Sequence, residues 1–155
     1  MEITKDPAPI LHRKLKAVAA VTDEVRNIIA QMHEMMIVAK GIGLAANQVG
    51  INMQIFVIDK LLAEEHKVPN AYIDPDITDY SKETDEMEEG CLSIPHHWRM
   101  IKRSKKIYIK AIGADGRKIK FRARGLLARV LQHETDHLNG MTIQDRPGRT
   151  IPETP

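Results

Sequence analysis

The chain has 155 residues, of which 43% are hydrophobic, 28% charged and 4% aromatic, with a formal net charge of +2. One soluble globular domain is expected, and disorder, collagen-like repeats and a disulfide scaffold are excluded, the last because there is a single cysteine. No uncharged run is apolar enough to predict a membrane span, and the start MEITKDPAPI has neither a secretory core nor an acid-free transit pattern, so a cytoplasmic protein or a processed organellar one is expected.

In chain order, Asp6-Pro7-Ala8-Pro9 reads as an extended lead-in to a turn. From Val21 to Val38, the residues Val21, Val25, Ile28, Ile29, Met32, Met35 and Met36 recur at spacings of three and four. That pattern predicts an amphipathic helix with Thr22 or Asp23 as its cap. Gly41 to Gln48 should be a loop, because paired glycines end helices and permit unusual backbone angles. Met53 to Ile58 reads as a buried strand, and Ala71 to Ile73 as a shorter one before Asp74-Pro75.

Charge is then segregated. Asp74 to Glu89 holds eight acids and one lysine, and Arg99 to Arg124 holds eleven bases and one aspartate. Such blocks read as solvated faces of loops and hairpins, with contact to a polyanion such as RNA as the alternative. Lys106 to Ile112 and Arg117 to Ala123 alternate apolar and basic residues around Gly113-Ala114-Asp115-Gly116, the pattern of a hairpin with one wet, basic face. Leu126 to Leu138 has helical periodicity with Gly140 where a C-terminal cap would sit, and the Pro-rich tail 144–155 should not be helical. The expected fold is a single α+β domain over residues 1–155. It has antiparallel strands around a central C-terminal helix and a further N-terminal helix.

The last helix carries His133-Glu134-Thr135-Asp136-His137. Side chains four apart share a helical face, so both imidazoles can reach one metal ion, and Glu134 stands beside them to take a proton from a bound water. A helix with two surface histidines is the plainer reading. Two histidines leave a site incomplete, and no histidine follows His137. The sole cysteine, in Glu89-Gly90-Cys91-Leu92-Ser93, is either an inert buried thiol or the third ligand, and the gap in the donor set favours the ligand.

Three segments, Gly41-Ile42-Gly43-Leu44-Ala45-Ala46-Asn47-Gln48, Glu89-Gly90-Cys91-Leu92-Ser93 and His133-Glu134-Thr135-Asp136-His137-Leu138-Asn139-Gly140, resemble in order and spacing the signature motifs of peptide deformylases. Asp6-Pro7 and Tyr72-Ile73-Asp74-Pro75 match weaker landmarks, and the likeness runs over about residues 4–145.

The resemblance implies hydrolysis of the N-formyl group from the formyl-methionine of newly made polypeptides, with release of formate. It implies that Cys91, His133 and His137 hold one divalent ion, Fe²⁺ as the expected native metal, with Zn²⁺, Ni²⁺ or Co²⁺ able to substitute. Glu134 would be general base and acid, and Gln48 with the backbone N–H of Leu92 would hold the developing oxyanion. Gly41, Ile42, Gly43, Met87, Leu126 and Val130 match substrate-binding positions, although plain core packing would give the same periodicity. Glu89 would be structural, paired with Arg103. A metallopeptidase would share the histidines and Glu134 but has no use for Gln48 or Cys91. A relic that only binds RNA should have lost some of these residues.

Two departures from the family stand out. His96-His97-Trp98-Arg99-Met100-Ile101-Lys102 replaces the usual run after the cysteine motif, and it is read as an altered cleft edge with His96 and His97 as exposed loop residues. The long basic C-terminal helix of many bacterial members has no counterpart in the sequence given, so transient ribosome contact, if any, would fall to the basic hairpin within 99–124. A monomer is expected, with formylated nascent chains as its partners.

Overall fold

A computed structural model describes residues 1–152. Helix α1 (Asp23–Val38) begins where Thr22 accepts the Val25 N–H at 3.3 Å, with Asp23 and Glu24 in the first turn opposing the helix dipole. Its buried stripe, Val25, Ile29, Met32 and Met36, meets the expected periodicity. The stretch Gly41–Gln48 is not simply a loop. It supplies a short strand β1 (Gly43–Ala45) and a 3-10 turn (Ala46–Val49), because its apolar residues pair with the buried strand β2 (Ile55–Ile58) at Leu44↔Val57.

Helix α2 (Lys60–His66) is capped by Asp59, which accepts the Leu62 N–H at 3.1 Å. At seven residues it is too short for periodicity to reveal. Strand β3 (Ala71–Tyr80) runs beyond the expected Ile73. The chain passes Pro75 through a register shift between Ile73 and Asp76, where Asp74 has φ of 50° and its carboxylate accepts the Val18 N–H at 2.8 Å. A proline lacking an N–H is tolerated at such an irregularity.

The acidic and basic blocks form an antiparallel pair. Strand β4 (Thr84–Cys91) lies against β5 (Ile94–Ser104) with Asp85↔Arg103, Glu86↔Lys102 and Glu89↔Arg99 in register. Opposite charges directly across a ladder attract, which accounts for strands where only solvated loops or hairpins were expected of the acidic block. His96, His97 and Trp98 therefore belong to β5 rather than to a loop; His96 is exposed as expected, whereas His97 is half-buried.

Strands β6 (Lys106–Ile112) and β7 (Lys118–Arg124) form the expected hairpin. Helix α3 (Gly125–Leu138) is followed by Gly140 at φ of 78° in the turn that stops it. The tail contains one 3-10 turn (Ile143–Asp145) and then a strand, β8 (Gly148–Ile151), paired with β5. The end of the expected tail, 153–155, lies outside the described residues.

The molecule is an α+β fold with a five-stranded antiparallel sheet in the order β1-β2-β3-β6-β7 and a three-stranded sheet in the order β4-β5-β8. Helix α3 touches strands of both sheets, and most of its side chains, polar ones included, are buried. It is thus a central beam that carries its histidines to the place where the sheets meet. No helix among the described residues is long and apolar enough to cross a membrane.

Candidate metal centre and cleft

One turn of α3 separates His133 from His137 and puts their Nε2 atoms 3.2 Å apart. Cys91 ends β4, with its Sγ 3.3 Å from His137 Nε2. The three donor atoms lie within 4.8 Å of one another, and they are the group among the described residues that could hold a metal ion. Their surroundings fit a cation. Glu89 accepts a hydrogen bond from His133 Nδ1 at 2.8 Å, which turns the Nε2 lone pair to the centre, and a thiol and the Glu134 carboxyl lie on the other sides. The two rings respond oppositely. Burial disfavours a charged His133, yet hydrogen bonds with Cys91 and Glu89 and the charge of Glu134 outweigh it and raise the pKa to about 10. His137 is held well below the usual imidazole value by burial and then by His133. A soft thiolate and two imidazoles in so tight a cluster suit Fe²⁺, Zn²⁺, Co²⁺ or Ni²⁺.

A buried charge network stands behind the donors. Arg103 grips Glu89 with two bonds of 2.6 and 2.9 Å and reaches Asp136 at 2.8 Å. Arg129, one turn before His133, bonds Glu89 at 2.5 Å, Asp85 at 2.8 Å and the Ile101 carbonyl at 3.0 Å. Burial alone would raise the Glu89 pKa, but the bonds from His133 and Arg103 hold it well below the ordinary carboxylate range. Glu89 is therefore an anion that orients His133, and the pairing with Arg103 expected from the sequence is present.

Glu134 sits on the same helix with its carboxylate facing the centre. Its Oε1 is 3.8 Å from His133 Nε2, and its buried Oε2 has no hydrogen-bond partner among the described residues. Burial pushes its pKa up to about 7, against the opposing charges of His133 and Arg103. A carboxylate with one free oxygen and raised basicity is suited to moving a proton at neutral pH. The space for it exists because position 43 is glycine, since a Cβ there would lie 2.8 Å from Glu134 Oε1.

Gln48 is fixed by the 3-10 turn. Its Oε1 accepts the Ala45 N–H at 3.0 Å, which leaves Nε2 pointing at Cys91 Sγ (3.4 Å) and Ser93 Oγ (3.2 Å). Leu92 lies in the turn between β4 and β5, and the Lys5 ammonium donates to its carbonyl at 3.1 Å. The N-terminal segment ties these two motifs together, through Thr4 N–H to the Gln48 carbonyl and Asp6 N–H to the Ser93 carbonyl.

These groups open into a cleft of about 650 Å³. Gly41, Ile42, Gly43, Met87, Leu126 and Val130 all line it, with Val130 buried and Ile42, Met87 and Leu126 about half exposed. His137 lies beneath, almost wholly buried. Trp98 lies on the cleft wall, in the stretch expected to alter the cleft edge, whereas the sequence gives no role to Arg129, Asp136 or Asn47, whose side-chain amide donates to the His137 carbonyl at 2.6 Å. Of these, Arg129 carried a usable signal, a charge at (i, i+4) spacing before His133.

A family model described as polypeptide deformylase matches residues 1–150. A peptide deformylase of Dictyoglomus turgidum is 44% identical over 146 residues, spanning 94% of this chain and 92% of that protein. The crystal structure of peptide deformylase from Thermotoga maritima aligns with a TM-score of 0.87 at 39% identity, over 94% of this chain and 95% of that one. A Synechococcus elongatus peptide deformylase solved in complex with actinonin gives the same score and identity, over 94% of this chain and 78% of that one.

Proposed function

The chain belongs to the peptide deformylase family of hydrolases, and from that premise we propose that it releases formate from the N-terminal formyl-methionine of new polypeptides with Cys91, His133, His137, Glu134 and Gln48 as the working residues. The observation that carries this reading is the convergence of a thiol, two imidazoles and a buried carboxylate with one unpartnered oxygen at the floor of one cleft. A divalent ion held by Cys91 Sγ and the two Nε2 atoms would supply a Lewis acid and water ionisable near neutral pH, with Fe²⁺ as the native metal we favour.

The protein's own groups do the rest. Met87, Leu126 and Val130 take the methionine side chain, and Gly41 and Gly43 let the peptide backbone approach. Glu134 accepts the proton of the attacking water and passes it to the departing amine nitrogen, so that formate and a free amino terminus leave. Gln48 Nε2 and the Leu92 N–H donate to the formyl oxygen as it gains charge, a type of contact whose loss typically costs about 2.7–4 kcal/mol of barrier. The substrate places the enzyme where chains start with formyl-methionine, the bacterial cytoplasm or an organelle, and nothing in this chemistry requires more than a monomer. The exposed bases of the β6–β7 hairpin support a transient contact with the ribosome.

The test is formate release from formyl-Met-Ala-Ser by protein loaded anaerobically with Fe²⁺, or with Ni²⁺. Turnover without cleavage of internal peptide bonds is the expected result. Internal cleavage without formate would replace this reading with a metallopeptidase.

A further inference from the structure

Trp98 is the chain's single tryptophan, and it is about half exposed at the wall of the cleft. Its ring lies on the Cα of Gly90, one residue before the ligand Cys91. A Cβ added at Gly90 would fall 2.5 to 2.8 Å from three atoms of the indole, so glycine there is what lets the ring lie down on β4. The strand beneath is held in place, because Trp98 pairs in register with Ile151 of β8, and Arg99 bonds Thr150 at 3.0 Å and the Arg146 carbonyl at 3.2 Å. A large aromatic face is thus kept rigid and open to solvent beside the catalytic groups, where it covers no core. With the half-exposed Ile42, Met87 and Leu126 of the same cleft, the indole makes an apolar lining of the kind that marks a ligand groove.

We infer that Trp98 determines specificity beyond the methionine, as an apolar shelf that selects peptides with an aromatic or large aliphatic side chain at the first or second residue after formyl-methionine. This rests on the deformylase reading. The methionine pocket of that reading is built by β4 and α3, whereas Trp98 reaches the same cleft from β5. The cleft has room for both, and Ile3 adds apolar lining. An indole held on a fixed strand loses little freedom on stacking, which favours an affinity effect and therefore one on KM.

Metal-loaded enzyme is compared on formyl-Met-Ala-Ser, formyl-Met-Phe-Ser and formyl-Met-Ala-Phe, for wild type, Trp98→Ala and Trp98→Phe. One or both phenylalanine peptides should show kcat/KM about 3–10-fold above the alanine–serine peptide, through KM. That ratio should collapse to near unity in Trp98→Ala and largely survive in Trp98→Phe. Because the chain has one tryptophan, the deformylated peptides Met-Phe-Ser and Met-Ala-Phe should shift its emission in wild-type protein, and Met-Ala-Ser should not. Equal kcat/KM for all three peptides in wild type, or an aromatic preference unchanged in Trp98→Ala, overturns the inference while leaving the deformylase reading intact. Formate from none of them would instead remove that reading, and the emission titration still decides whether Trp98 binds the side chain. If Trp98→Ala does not fold, the Trp98→Phe ratios and the emission titration carry the test.

Discussion

His133 Nδ1 lies 2.8 Å from Glu89 Oε1, and that same carboxylate is gripped by two buried guanidiniums, Arg103 and Arg129. The imidazole offered to the metal is thereby coupled to β4, β5 and its own helix one turn back. Replacing Glu89 with alanine should weaken metal retention about 10–100-fold, since it frees the ring that faces the ion. It should also destabilise the fold by about 3–5 kcal/mol, since Glu89 is 7% exposed and two buried cations lose their partner. Metal content after dialysis and a urea unfolding curve read the two effects separately.

Gly43→Ala places a Cβ 2.8 Å from Glu134 Oε1 and 3.0 Å from its Cδ and Cγ. The carboxylate must move, and a displacement near 1 Å typically costs about 100-fold in rate. The expected outcome is a kcat lowered on that scale with the melting temperature little changed. A Gly43→Ala enzyme with wild-type kcat would show that Glu134 needs no fixed position.

Burial lowers the pKa of His33 on α1 below the ordinary 6.5. The unfolded chain then binds the proton more readily than the folded one, so the contribution is complete above about pH 6.5 and is lost as pH falls toward the folded value. Denaturation midpoints measured at pH 7.5 and pH 5.5 should differ less in His33→Gln than in wild type.

On the hairpin, Lys110↔Lys120 and Lys106↔Arg124 are like-charge neighbours across the ladder, and Arg122 lies over the Tyr108 ring at 5.5 Å. Like charges so placed repel, and a polyanion would relieve that repulsion. Reversing Lys118, Lys120 and Arg122 should reduce cosedimentation with ribosomes, most visibly at low salt, and leave formate release from short peptides unchanged. Equal cosedimentation would dismiss the contact.

Helix α1, the β6–β7 hairpin and α3 could be read from the chain because each repeats its own period of apolar residues over several turns or pairs. The pattern failed where tertiary pairing decides. Residues Gly43–Ala45 become a strand only because β2 lies beside them, and the acidic segment becomes β4 only because the basic β5 faces it. At the site, the two histidines and Cys91 announce themselves by residue type and spacing. Asp136 and Trp98 do not, since a carboxylate partner for a buried guanidinium and an indole lying on a glycine exist only once strands from the distant blocks are side by side.

The most direct test of the account compares wild type with Glu134→Gln, both loaded with Ni²⁺ and assayed for formate from formyl-Met-Ala-Ser. The account predicts equal metal content and a turnover lower by about 100- to 10,000-fold in the variant, the scale of a lost general base. A Glu134→Gln protein that keeps its metal and releases formate at the wild-type rate would contradict it.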